Sequence, residues 1–413
     1  MIIEFSVRNF RSFSTEQRLS FRAASHAGGG LGTTPRLNNS AIVFGPNGAG
    51  KSNLLRALRT MREFVLCSTS FSESDIEARY TPFQPRRLDD EATVLTIDMI
   101  LGGMRYCYGF AYNMRRILSE QLRVFRTHKA QRWFDRRYDA AAETERWSPF
   151  SSFFFGQREA WRSATKPQAL FLTTAGTLGA ELLAPLLNWF EHQLVILLSA
   201  ECADMNHLAR RLRDAAIKRS ILGILRAVDG SVVDVRVQTS PAVRGTAASS
   251  GPSIEFLHVR EGAEPVWADS IQHSTDALWL ILVVLALLDD AQSDKLIAID
   301  DFDSHVHPIV ARFLMQAIED LDATKPAAQI IISQSTTLLD LEWLQRHELW
   351  LMESDDDHAS RLKPLLAHGP KAVESPIASH VDARSETRKY SPTPAAGRHP
   401  RQAAGMIGNK KPH

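Results

Sequence analysis

Two short stretches carry residues whose types and spacing suit phosphate chemistry. The first is Gly45-Pro-Asn47-Gly48-Ala49-Gly50-Lys51-Ser52, a G-x-x-x-x-G-K-[ST] pattern set between an apolar run, Ala41 to Phe44, and a helix-like segment. Gly45, Gly48 and Gly50 let the backbone curl so that its N–H groups face inward on phosphate oxygens. The helix expected near Lys51 points its positive end at the same anion. Lys51 is expected to reach the β- and γ-phosphates, and the Ser52 hydroxyl to ligate Mg²⁺. Asn47, Ala49 and Asn53 complete the set expected to line a bound nucleotide.

The second stretch is Lys295-Leu-Ile-Ala-Ile-Asp300-Asp301, an apolar strand ending in two carboxylates. Asp300, at the strand's C-terminal end, is expected in the Mg²⁺ shell. Asp301 is the candidate base that polarises an attacking water. Aspartate is one methylene shorter than glutamate, and misplacement of about 1 Å at such a position costs about a hundredfold in rate.

The elements that must position these groups follow in chain order. Residues 2–10 alternate apolar and polar, as a half-buried strand does, and Gln17 to Arg22 forms a second strand-like piece. The P-loop strand and helix come next. Thr93 to Leu101, the Gly102-Gly103 turn and Met104 to Tyr112 predict a hairpin, with a further strand over Ile117 to Phe125. Helical spacing predicts helices over Leu178–Leu197, Met205–Leu212 and from Ser220, before a strand from Val232. Residues 239–252 read as a Gly/Ser/Pro-rich loop, and the apolar run from Ala277 to Leu288 as a helix. Gln329 to Ser333 predicts a buried strand running into a helix, and Glu342 to Leu351 a helix and a last strand.

Composition adds exclusions. The 413 residues are 44% hydrophobic and 23% charged, with a net charge of +1, so the whole molecule makes no global electrostatic claim on nucleic acid. Cys67, Cys107 and Cys202 are scattered without metal-ligand spacing, a reduced, intracellular pattern. The N-terminus lacks a signal peptide's apolar core, and the apolar run ending at Leu288 is too short to span a bilayer. A cytoplasmic protein with no membrane partner is the expectation.

Two segments leave alternatives open. Residues 126–147 interleave Arg126, His128, Lys129, Arg132, Arg136, Arg137 and Arg146 with Trp133, Phe134, Tyr138 and Trp147. That is either a DNA, RNA or partner-binding surface or a solvated β-hairpin whose acidic residues dilute the patch, the stronger reading. The acidic run Glu353 to His358 could belong to a metal-dependent nuclease. Too little chain follows for such a domain, and a solvated turn beyond an edge strand is the stronger reading. From Lys371 a disordered, mildly basic tail is expected.

Ile3-Glu-Phe-Ser-Val-Arg-Asn-Phe-Arg-Ser-Phe followed by Gly45-Pro-Asn-Gly-Ala-Gly-Lys-Ser-Asn-Leu-Leu resembles the ABC-class, RecF- and SMC-like predicted ATPases. These include the overcoming-lysogenization-defect proteins and related phage-defence ATPases, often labelled AAA-type. The resemblance implies an α/β fold, a P-loop NTPase of ABC-ATPase head type with an antiparallel β lobe and an inserted, mainly helical arm. It divides the chain into a P-loop lobe (1–104), a hairpin and helical arm or lid (105–255), a C-terminal part of the head (256–370) and the tail (371–413). It implies ATP and Mg²⁺ as cofactors, a homodimer that sandwiches nucleotide, and Gln84 as a glutamine-loop contact to Mg²⁺.

The resemblance also shows departures. Relatives carry Asp-Glu at Asp300-Asp301, with His307-Pro308 kept. The signature segment reads roughly Ser-x-Gly-Thr where this chain has Gln272 and Ser274, alternatively a polar cap for a buried helix. A switch histidine stands where this chain has Gln334, which can hydrogen-bond a γ-phosphate but carries no charge. Phosphate- and Mg²⁺-holding positions are kept while those acting on the γ-phosphate are altered. The expectation is a slowly hydrolysing ATPase acting as a dimer switch in phage defence or DNA transactions. The rival is an ATP-gated scaffold with negligible turnover that controls a separate effector such as a nuclease.

Overall fold

The computed structural model describes residues 1–23, 37–38, 40–84, 92–125, 129–198, 205–239, 252–259, 262, 264–269, 275–288, 295–302, 311–312, 315, 328–332 and 348–365. Its strands are β1 Ile2–Arg8, β2 Gln17–Ser20, β3 Ser40–Phe44, β4 Thr93–Leu101, β5 Met104–Tyr112, β6 Ile117–Phe125, β7 Ala130–Asp139 and β8 Thr144–Trp147. They continue with β9 Leu194–Leu197, β10 Val232–Thr239, β11 Pro252–His258, β12 Val266–Asp269, β13 Leu296–Ile299, β14 Ala328–Ile332, β15 Leu349–Ser354 and β16 Ser360–Pro364. The α-helices are α1 Lys51–Cys67, α2 Glu73–Arg79, α3 Arg158–Ala164, α4 Phe171–Thr177, α5 Ala184–Asn188, α6 Met205–Arg211, α7 Ala215–Val228 and α8 Thr275–Leu288.

Two large sheets organise the chain. One is antiparallel, in the order β2-β1-β4-β5-β6-β7-β8. The β4–β5 turn works because Gly102 and Gly103 both take positive φ, 55° and 78°, as a two-residue hairpin turn requires. The second sheet runs β16-β15-β3-β14-β13-β9, parallel except for the edge pair β15–β16. A three-stranded antiparallel sheet, β10-β11-β12, sends Val235, Ile254 and Phe256 into the core on one face of the parallel sheet.

The period-two rule of strands sorts the parallel sheet's side chains between two cores. Ala41 and Val43 of β3, Leu296 and Ala298 of β13, and Met352 of β15 face a core shared with α1 and the antiparallel sheet. Ile42, Phe44, Ile297, Ile299 and Leu349 face the other core, with Leu225 of α7 and Ile281 of α8. A sheet covered on both faces needs strands that are apolar throughout, and all four residues of β13 are buried. Helix α1 buries Leu54, Leu58, Met61 and Phe64 along one stripe. The Phe64 ring meets Phe110 and Tyr112 of β5 at centroid distances of 5.3 and 4.5 Å.

The architecture is the expected α/β P-loop head with an antiparallel β lobe. The expected helix over Leu178–Leu197 is broken instead. Short helical turns end at Gln193, and Leu194–Leu197 becomes β9, the edge of the parallel sheet beside β13. Four consecutive apolar residues look alike in a buried helix and a buried strand, so periodicity could not separate them. The consequence is that one segment of the range assigned to the arm, 105–255, lies inside the head's main sheet. The acidic run begins in β15 at Glu353 and Ser354, turns over Asp355 to His358, and leads into a further strand, β16.

Candidate nucleotide site

The P-loop leaves the centre of the parallel sheet. β3 delivers the chain to Gly45, the loop turns through Gly48 (φ 79°), and Gly50 (φ 97°) opens α1. Neither backbone angle suits a residue with a side chain, and at two points the loop has no room for one. A Cβ on Gly45 would run into the Met352 carbonyl of β15, and one on Gly50 into the hydroxyls of Ser12 and Ser360. Asn47 and Gly48 are exposed at the loop's tip, whereas Ala49 is buried.

Lys51 is buried, and its ammonium donates to the carbonyls of Gly45 (2.7 Å) and Pro46 (3.1 Å). A buried cation requires such partners. They also fix the ammonium against the loop, where phosphate oxygens would add to its ligands.

The second carboxylate stretch meets the loop from β13, with β14 lying between β13 and β3. Ser52 Oγ donates to Asp300 Oδ1 at 3.0 Å. Asp300 is 3% exposed, and its backbone N–H is held by the Leu197 carbonyl at the end of β9. Burial pushes the Asp300 carboxyl above the usual aspartate range, the Ser52 hydroxyl pulls it back, and the neighbouring Asp301 charge pushes it up again. A buried carboxylate crowded by a second carboxylate, with a serine hydroxyl on it, is a donor set suited to a hard divalent cation. Ser52 and Asp300 therefore fit the Mg²⁺ role read for them.

Asp301 directly follows Asp300, is half-buried and takes φ 45°. Aspartate tolerates this left-handed conformation better than most residues. Gln84 is exposed. The loop before it is tied to the corner after β1, where the Phe83 N–H donates to Asn9 Oδ1 (3.0 Å) and the Arg11 N–H to the Thr81 carbonyl (2.7 Å). Gln272, Ser274, His307, Pro308, Gln334 and the tail 371–413 lie outside the described residues.

Asn53 turns its side chain to the protein. Its Nδ2 donates to Ser12 Oγ (2.8 Å), and its Oδ1 accepts from Arg56 (3.2 Å). Ser12 and Ser360 were not evident in sequence as site residues. Ser360 Oγ lies 2.6 Å from the Ala49 carbonyl and 2.7 Å from Ser12 Oγ, and its N–H donates to the Ser12 carbonyl at 2.7 Å. Ser12 falls within the Arg11-Ser-Phe stretch that carries the family resemblance. Ser360 had no signal, since it opens a five-residue strand too short to read.

The basic stretch is the hairpin β7–β8. Trp133 and Phe134 are buried, so they present no stacking platform. Arg136 is buried against Glu120 at 2.9 Å. Arg132 and Arg137 lie within 3.8 and 3.4 Å of Asp135, and Arg146 pairs with Asp139. Arg132, Arg136, Arg137 and Arg146 are thus compensated locally within a half-buried hairpin, while Arg126 and His128 lie outside the described residues. The Asp355 carboxylate is likewise spent on its own turn, accepting from the N–H groups of Asp357 and Ala359 and from Arg361. No helix among the described residues is long and apolar enough to cross a membrane.

Residues 40–171 match the family described as "AAA domain, putative AbiEii toxin, Type IV TA system". No curated protein matches the chain. Among solved structures the chain is similar to an Smc head bound to the C-winged-helix domain of ScpA, at 11% identity and a TM-score of 0.47, covering 88% of this chain and 97% of that one. It is also similar to the SMC head domain from Thermotoga maritima, at 10% identity and a TM-score of 0.39, covering 88% and 98%. A third is an Smc head with an extended coiled coil bound to the C-terminal domain of ScpA derived from Pyrococcus furiosus, at 11% identity and 0.44, covering 94% and 99%. The family match spans the P-loop, α1 and strands β4 to β8 of the antiparallel sheet, about a third of the chain.

Proposed function

We propose, from the premise of an ABC/SMC-like, AAA-type P-loop ATPase head, that this chain binds Mg²⁺–ATP and hydrolyses it slowly as a nucleotide-driven switch. The observation that carries the reading is the 3.0 Å contact between Ser52 and Asp300 beside the glycine loop. Ser52 and Asp300 would hold Mg²⁺, which when bound neutralises charge on the β- and γ-phosphates. Lys51 and the loop N–H groups grip the phosphates, and Asp301 is the candidate base for the attacking water. Gln84 and Gln334 complete the site as contacts to the metal and to the γ-phosphate.

The ABC-class resemblance supports two heads closing on ATP, with binding as the switch and hydrolysis as the reset. The resemblance to phage-defence ATPases carries the phage-defence reading, and the matching family is described as a putative toxin of a type IV toxin–antitoxin system. The second reading, an ATP-gated scaffold controlling a separate effector such as a nuclease, is favoured by one feature. The base position holds a short aspartate fixed at φ 45°.

Turnover and molecular mass of the purified chain, measured with and without Mg²⁺–ATP, test both readings. Slow turnover with an ATP-dependent dimer supports the switch. No turnover with ATP-dependent dimerisation supports the scaffold. Absence of ATP binding overturns both.

A further inference from the structure

The hydroxyl pair behind the P-loop has a geometry that generic packing does not require. Ser360 is 1% exposed, opens the edge strand β16, and comes from a point 311 residues along the chain from Ala49. Its hydroxyl has one proton to give. The Ala49 carbonyl, 2.6 Å away, can only accept, so it takes that proton. Ser12, 2.7 Å from Ser360, then completes a relay that begins at Asn53 in the first turn of α1. Two further bonds hold the relay in place: the Ser360 N–H donates to the Ser12 carbonyl, and the Leu362 N–H donates to the Gln17 side chain at Oε1, 2.9 Å away.

This arrangement acts on one peptide plane. The Ala49–Gly50 peptide is trans, so its C=O and N–H point in opposite directions. Holding the Ala49 oxygen on Ser360 turns the Gly50 N–H to the side opposite Ser360. An inward N–H is what a phosphate-binding loop needs, and a peptide free to flip would present an oxygen to the anion instead. The absent side chain of Gly50 belongs to the same device, because a Cβ there would meet Ser12 and Ser360.

We propose that Ser360, acting with Ser12, is a positioning residue for phosphate binding that holds the Ala49–Gly50 peptide in its anion-accepting orientation. The proposal rests on the P-loop reading of this site. It assigns part of phosphate recognition to the junction where β16 meets the β1–β2 corner, outside the loop itself.

Titration of the full chain with Mg²⁺–ADP and with pyrophosphate, beside melting of the ligand-free protein, tests it. Ser360→Ala is expected to weaken both ligands about fivefold or more, by the same factor, in a protein that melts lower but stays folded at the titration temperature. Ser360→Thr, which keeps the hydroxyl, is expected to restore most of the loss. Ser12→Ala should weaken binding too, and the double variant should be no worse than the larger single effect, since both residues serve one peptide. Ser12→Ala also carries the test if Ser360→Ala does not fold. ADP affinity unchanged in a folded Ser360→Ala or Ser12→Ala protein, while the wild type binds, overturns the inference alone. A wild type that binds neither ligand overturns the P-loop reading and the inference with it.

Discussion

Ser52 donates its hydroxyl proton to Asp300 across 3.0 Å, joining residues 248 positions apart. The contact ties the first turn of α1 to the end of β13, and it occurs beside a carboxylate that is costly to bury. Burial and the Asp301 charge hold the Asp300 carboxyl above its unfolded value, so the native state takes up a proton more readily than the unfolded chain. The linkage sign follows. Ligand-free stability falls as pH rises from the ordinary aspartate range through the raised folded value. Asp300→Asn is therefore expected to melt higher than the wild type at pH 7 without ligand, by about 1 kcal/mol of stability. That advantage should shrink as pH approaches 4. The same variant should gain no stability from Mg²⁺–ATP, which calorimetry with and without nucleotide would show.

Asp301 tests the rate expectation. A glutamate there reaches one methylene farther, and positioning errors near 1 Å are worth about a hundredfold. Asp301→Glu is expected to raise turnover tenfold or more, despite the strain of a longer side chain at φ 45°, and Asp301→Ala to abolish it. Steady-state phosphate release measures both. A robust wild-type rate that Asp301→Glu lowers would show that the aspartate already reaches its water.

Gly50 is constrained twice, by φ 97° and by the Ser12 and Ser360 hydroxyls. Gly50→Ala is expected to lower nucleotide affinity more than tenfold and to destabilise the fold by at least about 1 kcal/mol. Gly103→Ala has a positive φ but open space around it, so it should cost stability alone and leave affinity intact. Denaturant melts with ADP titrations separate the two.

The antiparallel lobe has its own fixed point. Glu120 and Arg136 are both buried and 2.9 Å apart, and Glu120 also accepts from Tyr108 OH (3.0 Å) and from the N–H groups of Phe171 (2.6 Å) and Leu172 (2.9 Å). Removing one partner strands a buried charge, at a cost of about 3–5 kcal/mol. Glu120→Ala is expected to lose that amount in a denaturant melt, and a loss under about 1 kcal/mol would show that Glu145, 3.6 Å from Arg136, compensates the charge.

The legible parts of the molecule were those written in consecutive residues. The glycine loop, the Asp300-Asp301 strand and the β4–β5 hairpin each carry their signal within about a dozen positions. β9 was not legible, because Leu194-Val-Ile-Leu is apolar without a period. Ser12 and Ser360 were not legible as a pair, because a serine's role here is set by a partner hundreds of residues away. The basic stretch near β7 misleads in composition, since burial of Trp133 and Phe134 is visible only once the sheet is closed.

The parallel sheet draws β3 from the first tenth or so of the chain and β13, β14 and β15 from its last third. During synthesis the glycine loop leaves the ribosome early, while its carboxylate partner and the Ser360 strut follow only after some 250 and 310 more residues. A nascent or prematurely terminated chain thus carries a recognisable loop with nothing to complete it. On the proposed function, nucleotide responsiveness is therefore gained late and all at once, when the C-terminal strands slot in on both sides of β3. Truncation near residue 290 should yield a protein that is inert to ATP, however much of its N-terminal lobe has folded.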